Sequence, residues 1–422
     1  MFGFRWLYPG MRLKRWFFLI ALSIVVLYMG FSGNMGRRLR GIHYHSSWTQ
    51  RSEQYVRKLK FVDFLFIGLG TFGVIFGMRR SIYAVLTVLI PKREKEFLHI
   101  VYERAKLKRG PRLVAIGGGT GLPNLLTALK RYTSNITAVV TVADDGGSSG
   151  RLRRDFGTLP PGDIRNCLVA LSSQESLLHD LFQYRFKGHG DLKGHSFGNL
   201  FITVMSEITG DFGRAVEESS KVLATRGTVM PVAFDRMTLQ ARLKNGKVVT
   251  GESNVGTAKS PILRLSLKEK RVRPNKAVLQ AILEADAIIM GPGSLYTSIL
   301  PNLLVEDVAE RIALSRAVKI YVCNVMTQSG ETDHFTVSDH VRALIEHTAP
   351  NFIHYVLANK ETIPKRLLKR YADSGQEPVL CDDRGVANLG PTLVKVGLLH
   401  SEDFVRHDPE KLGKAIMRLL VI

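Results

Sequence analysis

The chain predicts an α/β fold, a mainly parallel sheet with helices on both faces, preceded by N-terminal transmembrane helices. Three observations carry that prediction. From Pro111 onward, short apolar runs alternate with helical patterns. Gly-rich or polar loops follow the apolar runs. Before Pro111 stand two long apolar stretches flanked by Lys and Arg. Alternating strand and helix signals are those of βαβ units, which build parallel sheets.

Length and composition narrow the classes. The 422 residues are 45% hydrophobic, enough for one large or several ordinary cores and too many for a disordered or collagen-like chain. Three cysteines (Cys167, Cys323, Cys381) lie far apart, which excludes a disulfide scaffold and a Cys-x-x-Cys zinc site. That pattern suits a reducing cytosol. The formal charge is +22, and residues up to Gly110 supply most of it, with 20 Lys/Arg against 5 Asp/Glu. Because this excess flanks apolar runs and no basic-aromatic module occurs, the expected partner is a membrane surface and not nucleic acid.

Residues 1–91 form the expected membrane-anchoring region. Trp16 to Gly33 carries no charge and follows Arg12, Lys14 and Arg15. Its length is near that of a bilayer span. The rival, a cleaved signal peptide, lacks a small-x-small site after the run, so an uncleaved anchor is preferred. Phe61 to Ile90 is apolar but interrupted by Asp63 and Arg79-Arg80, with Gly68, Gly70, Gly73 and Gly77 between them. It reads as a tilted span with the arginines snorkelling, or as a re-entrant or interfacial segment. Both basic flanks, residues 34–60 and 92–109, favour the cytoplasm, which two full spans cannot satisfy. The C-terminal part is placed in the cytoplasm on its chemistry. Residues 92–110 read as a basic linker helix near the membrane.

Residues 111–422 form the soluble domain. Arg112 to Ile116 is a strand ending in Gly117-Gly118-Gly119-Thr120-Gly121, and a helix with Leu122, Leu125, Leu126 and Leu129 on one face follows. Ile136 to Val142 is a β-branched strand ending in Asp144-Asp145-Gly146-Gly147-Ser148-Ser149-Gly150. A helical stretch runs from about Asp163 to Thr225. Thr228 to Thr250 reads as strands with an Asn245-Gly246 hairpin turn. Further strands are Ala287 to Met290, Val318 to Cys323 and Phe352 to Leu357. No tandem repeat is visible. Loops that follow parallel strands gather at one edge, where such sheets bind ligands.

The loops carry the chemistry. Gly117 to Gly121 suits a phosphate, because glycine amides can approach an anion at a helix N-terminus. It is neither a P-loop, lacking Gly-Lys-Ser/Thr, nor a regular dinucleotide fingerprint, since Leu122 replaces the third glycine. Asp144 and Asp145 can accept hydroxyl hydrogens or hold a magnesium ion beside a diphosphate; a turn or cap is the plainer alternative. Gly291-Pro292-Gly293-Ser294 repeats the cradle, with Ser294 and Thr297 as hydroxyl donors. Asp163, Arg165 and Asn166 form a polar cluster in which Arg165 faces a phosphate or a structural ion pair. His195 is a general-base candidate or a packed histidine. Asn199 and Asn324 can read a base or a sugar. No Ser-His-Asp, Cys-His or zinc spacing occurs.

GGGTGL (Gly117–Leu122), DDGGSSGRLRRDFG (Asp144–Gly157), PPGDIRNCLVAL (Pro160–Leu171), GHSFGNL (Gly194–Leu200), GPGSLYTSILPNLL (Gly291–Leu304) and NVMTQSGET (Asn324–Thr332) resemble the bacterial gluconeogenesis factors. These share a superfamily with the 2-phospho-L-lactate transferases of deazaflavin cofactor biosynthesis. The resemblance runs from about Arg112 past Pro409 and leaves out the leader. It implies a Rossmann-like three-layer domain and a site for a UDP-sugar such as UDP-N-acetylglucosamine. It also implies control of carbon flux, cell shape or cell-wall precursor synthesis. The transferase branch implies instead a magnesium-dependent transfer of a phospholactyl-type group from a guanosine diphosphate donor. Carried over, Gly117 to Gly121, Gly291, Gly293, Ser294 and Thr297 face phosphates. Asp144 and Asp145 take the acceptor, catalytic or magnesium position. Ser148, Ser149, Asp163, Arg165, Asn166, Asn199, Asn324, Thr327 and Gln328 line the nucleotide or acceptor. Expected partners are the nucleotide sugar, the membrane, a further copy in a homo-oligomer, and a cell-wall or metabolic enzyme.

Overall fold

The structure is a computed structural model that describes residues 13–40, 51–89, 105–173, 176–258, 260–350, 352–400 and 404–420. The chain divides into two compact units, Met1–Tyr102 and Glu103–Ile422.

The first unit contains two helices, Leu13–Arg40 and Arg51–Leu89. They run antiparallel: Gly30 abuts Ile67 and Asp63, whereas Gly77 abuts Ile20 and Trp16. Gly70 and Gly73 face Leu27 and Ser23 so closely that no side chain fits between. The glycines thus act as a packing face and do not break the second helix, as small residues do where backbones approach. Lys14–Ser32 and Phe61–Ala84 are long and apolar enough to cross a membrane. The Arg80 guanidinium lies 5.5 Å from the rings of both Trp16 and Phe76. The expected linker helix falls largely outside the described residues; its last turn, 105–108, is helical.

The second unit is built on seven strands: β1 (Leu113–Gly117), β2 (Ile136–Val140), β3 (Thr228–Pro231), β7 (Ala287–Met290), β8 (Val318–Val322), β9 (Tyr355–Asn359) and β10 (Thr392–Val396). Their spatial order is β10-β9-β8-β7-β1-β2-β3. Every pair is parallel. Strands buried on both faces need apolar residues at every position. The runs LVAIG and AIIM meet that need: Val114, Ile116, Ile288 and Met290 enter one core, and Leu113, Ala115, Ala287 and Ile289 the other. Helices such as Lys276–Glu284 and Val337–His347 close the first core, and Gly121–Leu129, Gly162–Leu171 and Pro409–Leu420 the second. The result is a three-layer, Rossmann-like α/β domain.

Two expected elements differ. Thr228 to Thr250 is not one unit: Thr228–Pro231 is the edge strand β3, while β4 (Leu239–Leu243) and β5 (Val248–Thr250) pair with β6 (Ile262–Leu267) in a separate antiparallel sheet. Its hairpin turn is at Asn245-Gly246, where Gly246 takes φ +82°. The last apolar run is shifted as well. Phe352 and Ile353 pack into the core before β9 begins, so apolarity there marks burial and not strand.

Candidate functional site

Chain order reverses at β1 and β7: β2 and β3 continue to one side, and β8 to β10 to the other. Such a switch point leaves a crevice beyond the carboxyl ends of the strands. Here it opens into a cavity of about 880 Å³. Gly119, Thr120 and Gly121 after β1, Gly293, Ser294 and Thr297 after β7, and Asn324, Thr327 and Gln328 after β8 line it, with Asn166. The remaining predicted site residues are not among those lining it.

The first loop is shaped by close approach. A side chain on Gly121 would collide with the Pro292 carbonyl, so only glycine lets the first and third loops touch. Gly119 takes φ +59°. Its amide donates to Asp163 Oδ2 at 2.7 Å, and a β-carbon on Gly118 would meet the same oxygen at 2.7 Å. Burial, reinforced by the charge of Asp144, raises the Asp163 carboxyl to about 6 against the opposing Gly119 bond. The Gly117 carbonyl accepts from Thr141 and Asn302 and turns away from the cavity.

The Asp-rich loop opens the helix Gly147–Phe156. Asp144 Oδ1 accepts the Gly146 amide at 2.9 Å. Asp145 reaches across to the small sheet, where its carboxylate accepts the Glu252 amide (2.9 Å), the Ser253 amide (3.0 Å) and the Ser253 hydroxyl (2.7 Å). It therefore caps the short helix Glu252–Val255. Ser149 accepts the Gly162 amide. Ser148, His195 and Asn199 form a buried chain in which Ser148 Oγ is 3.0 Å from His195 Nδ1 and 3.1 Å from Asn199 Nδ2. Burial, with Arg151 nearby, lowers the His195 pKa. His195 thus takes the packed alternative. Arg165 is buried too, donating to Ser196 and, at 2.6 Å, to Asn166 Oδ1, and burial lowers it to about 10.

The expected hydroxyl donors of the third loop are committed internally. Ser294 Oγ donates to Glu331 and accepts the Thr297 amide at 3.1 Å, while Thr297 Oγ1 donates to Ser294 at 2.6 Å. Both hydrogens are held inside the network, and the Gly293 and Thr297 amides are held by Asn324 and Ser294, so none of these four groups is offered to a ligand. Asn324 clamps the loop: Oδ1 accepts from Gly293 at 3.1 Å and Nδ2 donates to the Gly293 carbonyl at 2.9 Å and to Gln328 at 3.3 Å. Thr327 pairs its amide and hydroxyl with Glu377.

Sequence reasoning missed Glu252, Tyr371, Arg406 and His407, all in the cavity wall. Glu252 opens the short helix after β5; burial and the charges of Asp144, Asp145, Asp163 and Glu331 push it to about 8. Arg406 belongs to a two-residue strand paired with Leu399–His400. Its neighbour His407 is fixed by bonds to Cys323 (3.1 Å) and Asn124 (2.6 Å), and burial drops its pKa to about 4, which keeps it neutral. Among the described residues, Arg406 is the one Lys or Arg that lines the cavity. None of these four stands in a motif.

For magnesium the donor set fits poorly. Asp145 has both oxygens engaged, and among the described residues no group of three His, Cys, Asp or Glu side chains converges. Magnesium held by one carboxylate relies on ligand phosphates and water.

An all-parallel sheet with a glycine-walled cavity at its switch point defines a Rossmann-like α/β class. Residues 113–399 match the 2-phospho-L-lactate transferase CofD family, and the chain belongs to it. Within it, the chain groups with the gluconeogenesis factors. That of Bacillus subtilis is 47% identical over 311 residues, covering 74% of this chain and 98% of the relative. A Nostoc sp. relative of the same group is 44% identical over 421 residues, 98% of this chain and 92% of its own length, so it shares the leader. A crystal structure of a UPF0052-family protein from Bacillus halodurans has a TM-score of 0.71 at 46% identity, covering 73% of this chain and 99% of that one.

Proposed function

We propose that this chain is a membrane-anchored gluconeogenesis factor that binds a UDP-sugar in the switch-point cavity and regulates carbon flux or cell-wall precursor supply, and through them cell shape. The convergence of three glycine or polar loops with Arg406 on one cavity carries the reading. The N-terminus of the helix Gly121–Leu129 suits a diphosphate, and a guanidinium matches its oxygens in a fork. The two apolar N-terminal helices support anchoring, with the soluble unit in the cytoplasm where such metabolites occur.

Calorimetry on Glu103–Ile422 tests the ligand. A relative of the same extent folds alone, so this fragment is a sound sample. UDP-N-acetylglucosamine should bind in the micromolar range; absence of binding removes the proposal. A second reading, a transferase using a guanosine diphosphate donor and magnesium, is favoured by the family match alone. Turnover of a deazaflavin acceptor with that donor would select it.

A further inference from the structure

A second cavity, of about 400 Å³, opens beyond the carboxyl ends of β8, β9 and β10 and plays no part in the function proposed above. It shares Asn324 and Val325 with the switch-point cavity. Its walls are mostly apolar, from Val325, Ile363, Leu368, Val379 and Leu380, with the Cys381 thiol among them. Two lysines stand at it. Lys395 is occupied by Asp383 at 2.8 Å, whereas the exposed Lys360 has no carboxylate partner among the described residues. A pocket of this size and polarity holds a small molecule with an apolar body and few polar groups. Neither glycine amides nor a planar stacking face suits it to a nucleotide. Glu361, also in the wall, is held by Lys411 at 2.9 Å, so among the described residues of this wall Lys360 is the charge left without an opposite partner, and it selects an anion.

We propose that this cavity is an effector site for a small monocarboxylate with an apolar chain, its carboxylate on Lys360 and its chain among Val325, Ile363 and Val379. The site is wired to the glycine loops. Its outer wall is a strap whose Val379 amide donates to the Val325 carbonyl at 3.0 Å and whose Glu377 pairs with Thr327. Asn324, on the shared wall, holds Gly293 by two hydrogen bonds. An occupant pressing on Val325 and the strap therefore alters the clamp on the third loop. This coupling rests on the nucleotide-sugar reading; the pocket itself does not.

Cys381 is the reporter, because Cys167 and Cys323 are buried and Cys381 is half-exposed. Alkylation of Cys381 in Glu103–Ile422 by iodoacetamide is followed by peptide mass spectrometry, with octanoate as the probe. At about ten times its dissociation constant, octanoate should slow alkylation roughly tenfold. Octylamine should not, and Lys360→Glu should abolish protection without changing the melting temperature. Val379→Trp, which fills the cavity, should abolish it independently. Octanoate should also change the affinity for UDP-N-acetylglucosamine by about threefold or more. No protection, or equal protection in Lys360→Glu, overturns the site. Protection with an unmoved nucleotide affinity overturns the coupling. Protection without any nucleotide binding upholds the pocket and sinks only the UDP-sugar reading.

Discussion

The Asp163 carboxylate accepts the Gly119 amide hydrogen at 2.7 Å, linking the first turn of one helix to the loop that opens another. This places a negative charge behind a loop whose amides suit an anion. Folding lifts the carboxyl from its ordinary 3.8 to about 6, so the folded state holds the proton more tightly than the unfolded one. Ionisation of Asp163 therefore costs stability: nothing well below pH 4, little near pH 4, more between about pH 4 and 6, and the full amount above. Asp163→Asn keeps the acceptor and removes the charge. Its melting temperature, read by circular dichroism on Glu103–Ile422, should exceed the parent's by about 2 °C or more at pH 8 and match it near pH 4. An equal gain at both pH values would refute the charge argument.

Asp145 distinguishes a cap from a metal ligand. Its three bonds all go to Glu252 and Ser253. Asp145→Ala should cost about 1 kcal/mol of stability, as lost caps do. It should also weaken UDP-sugar binding, because Glu252 moves with its helix. The ratio of variant to parent affinity should stay constant across a magnesium titration. A ratio that converges as magnesium is withdrawn would restore the metal role.

Arg406 is exposed at the cavity rim, its guanidinium 5.1 Å from the Phe404 ring. Arg406→Ala should weaken UDP-sugar binding by roughly 10- to 100-fold, the usual worth of a charge-assisted hydrogen bond. Arg406→Lys should recover part of the loss, and melting should be unchanged. Calorimetry and a thermal scan on the same samples check this.

The antiparallel leader makes a geometric prediction. Gly73 faces Ser23, with Ser23 Cβ 3.0 Å from where a β-carbon on Gly73 would stand, whereas Gly68 has nothing within 4 Å. Gly73→Leu should part the two helices and make the leader protease-sensitive in membranes, and Gly68→Leu should not. Reporter fusions within residues 41–50 and at the C-terminus should report opposite sides. Fusions reporting the same side would argue against two spans.

Much of the fold was legible because its signals are local. β1, β2, β7 and β8 are apolar runs that stop at glycine or polar loops, and a parallel sheet imposes that pattern on each strand separately. The cavity was legible to the same extent: Gly119 to Gly121, Gly293 and Asn324 follow strands and must lie at one edge. What stayed hidden depends on orientation or on distant chain. No spacing reveals that Ser294 turns its hydrogen toward Glu331, or that Asp145 reaches residues 252 and 253. Glu252 and Arg406 enter the wall from a four-residue helix and a two-residue strand, elements too short to leave a periodic trace. Ser148 and Asn199 look like ligand groups in sequence because hydrogen-bonding side chains are written the same way whether they meet a ligand or each other.

The switch point also sets when this protein becomes competent during synthesis. Gly121 and Pro292 touch, yet most of the domain is translated between them, and the Asn324 clamp comes later still. A nascent chain carries a bare half-cradle until β7 slots in beside β1 and β8 beside β7. On the proposed function, a nucleotide sugar bound there would favour finished copies over partly assembled ones.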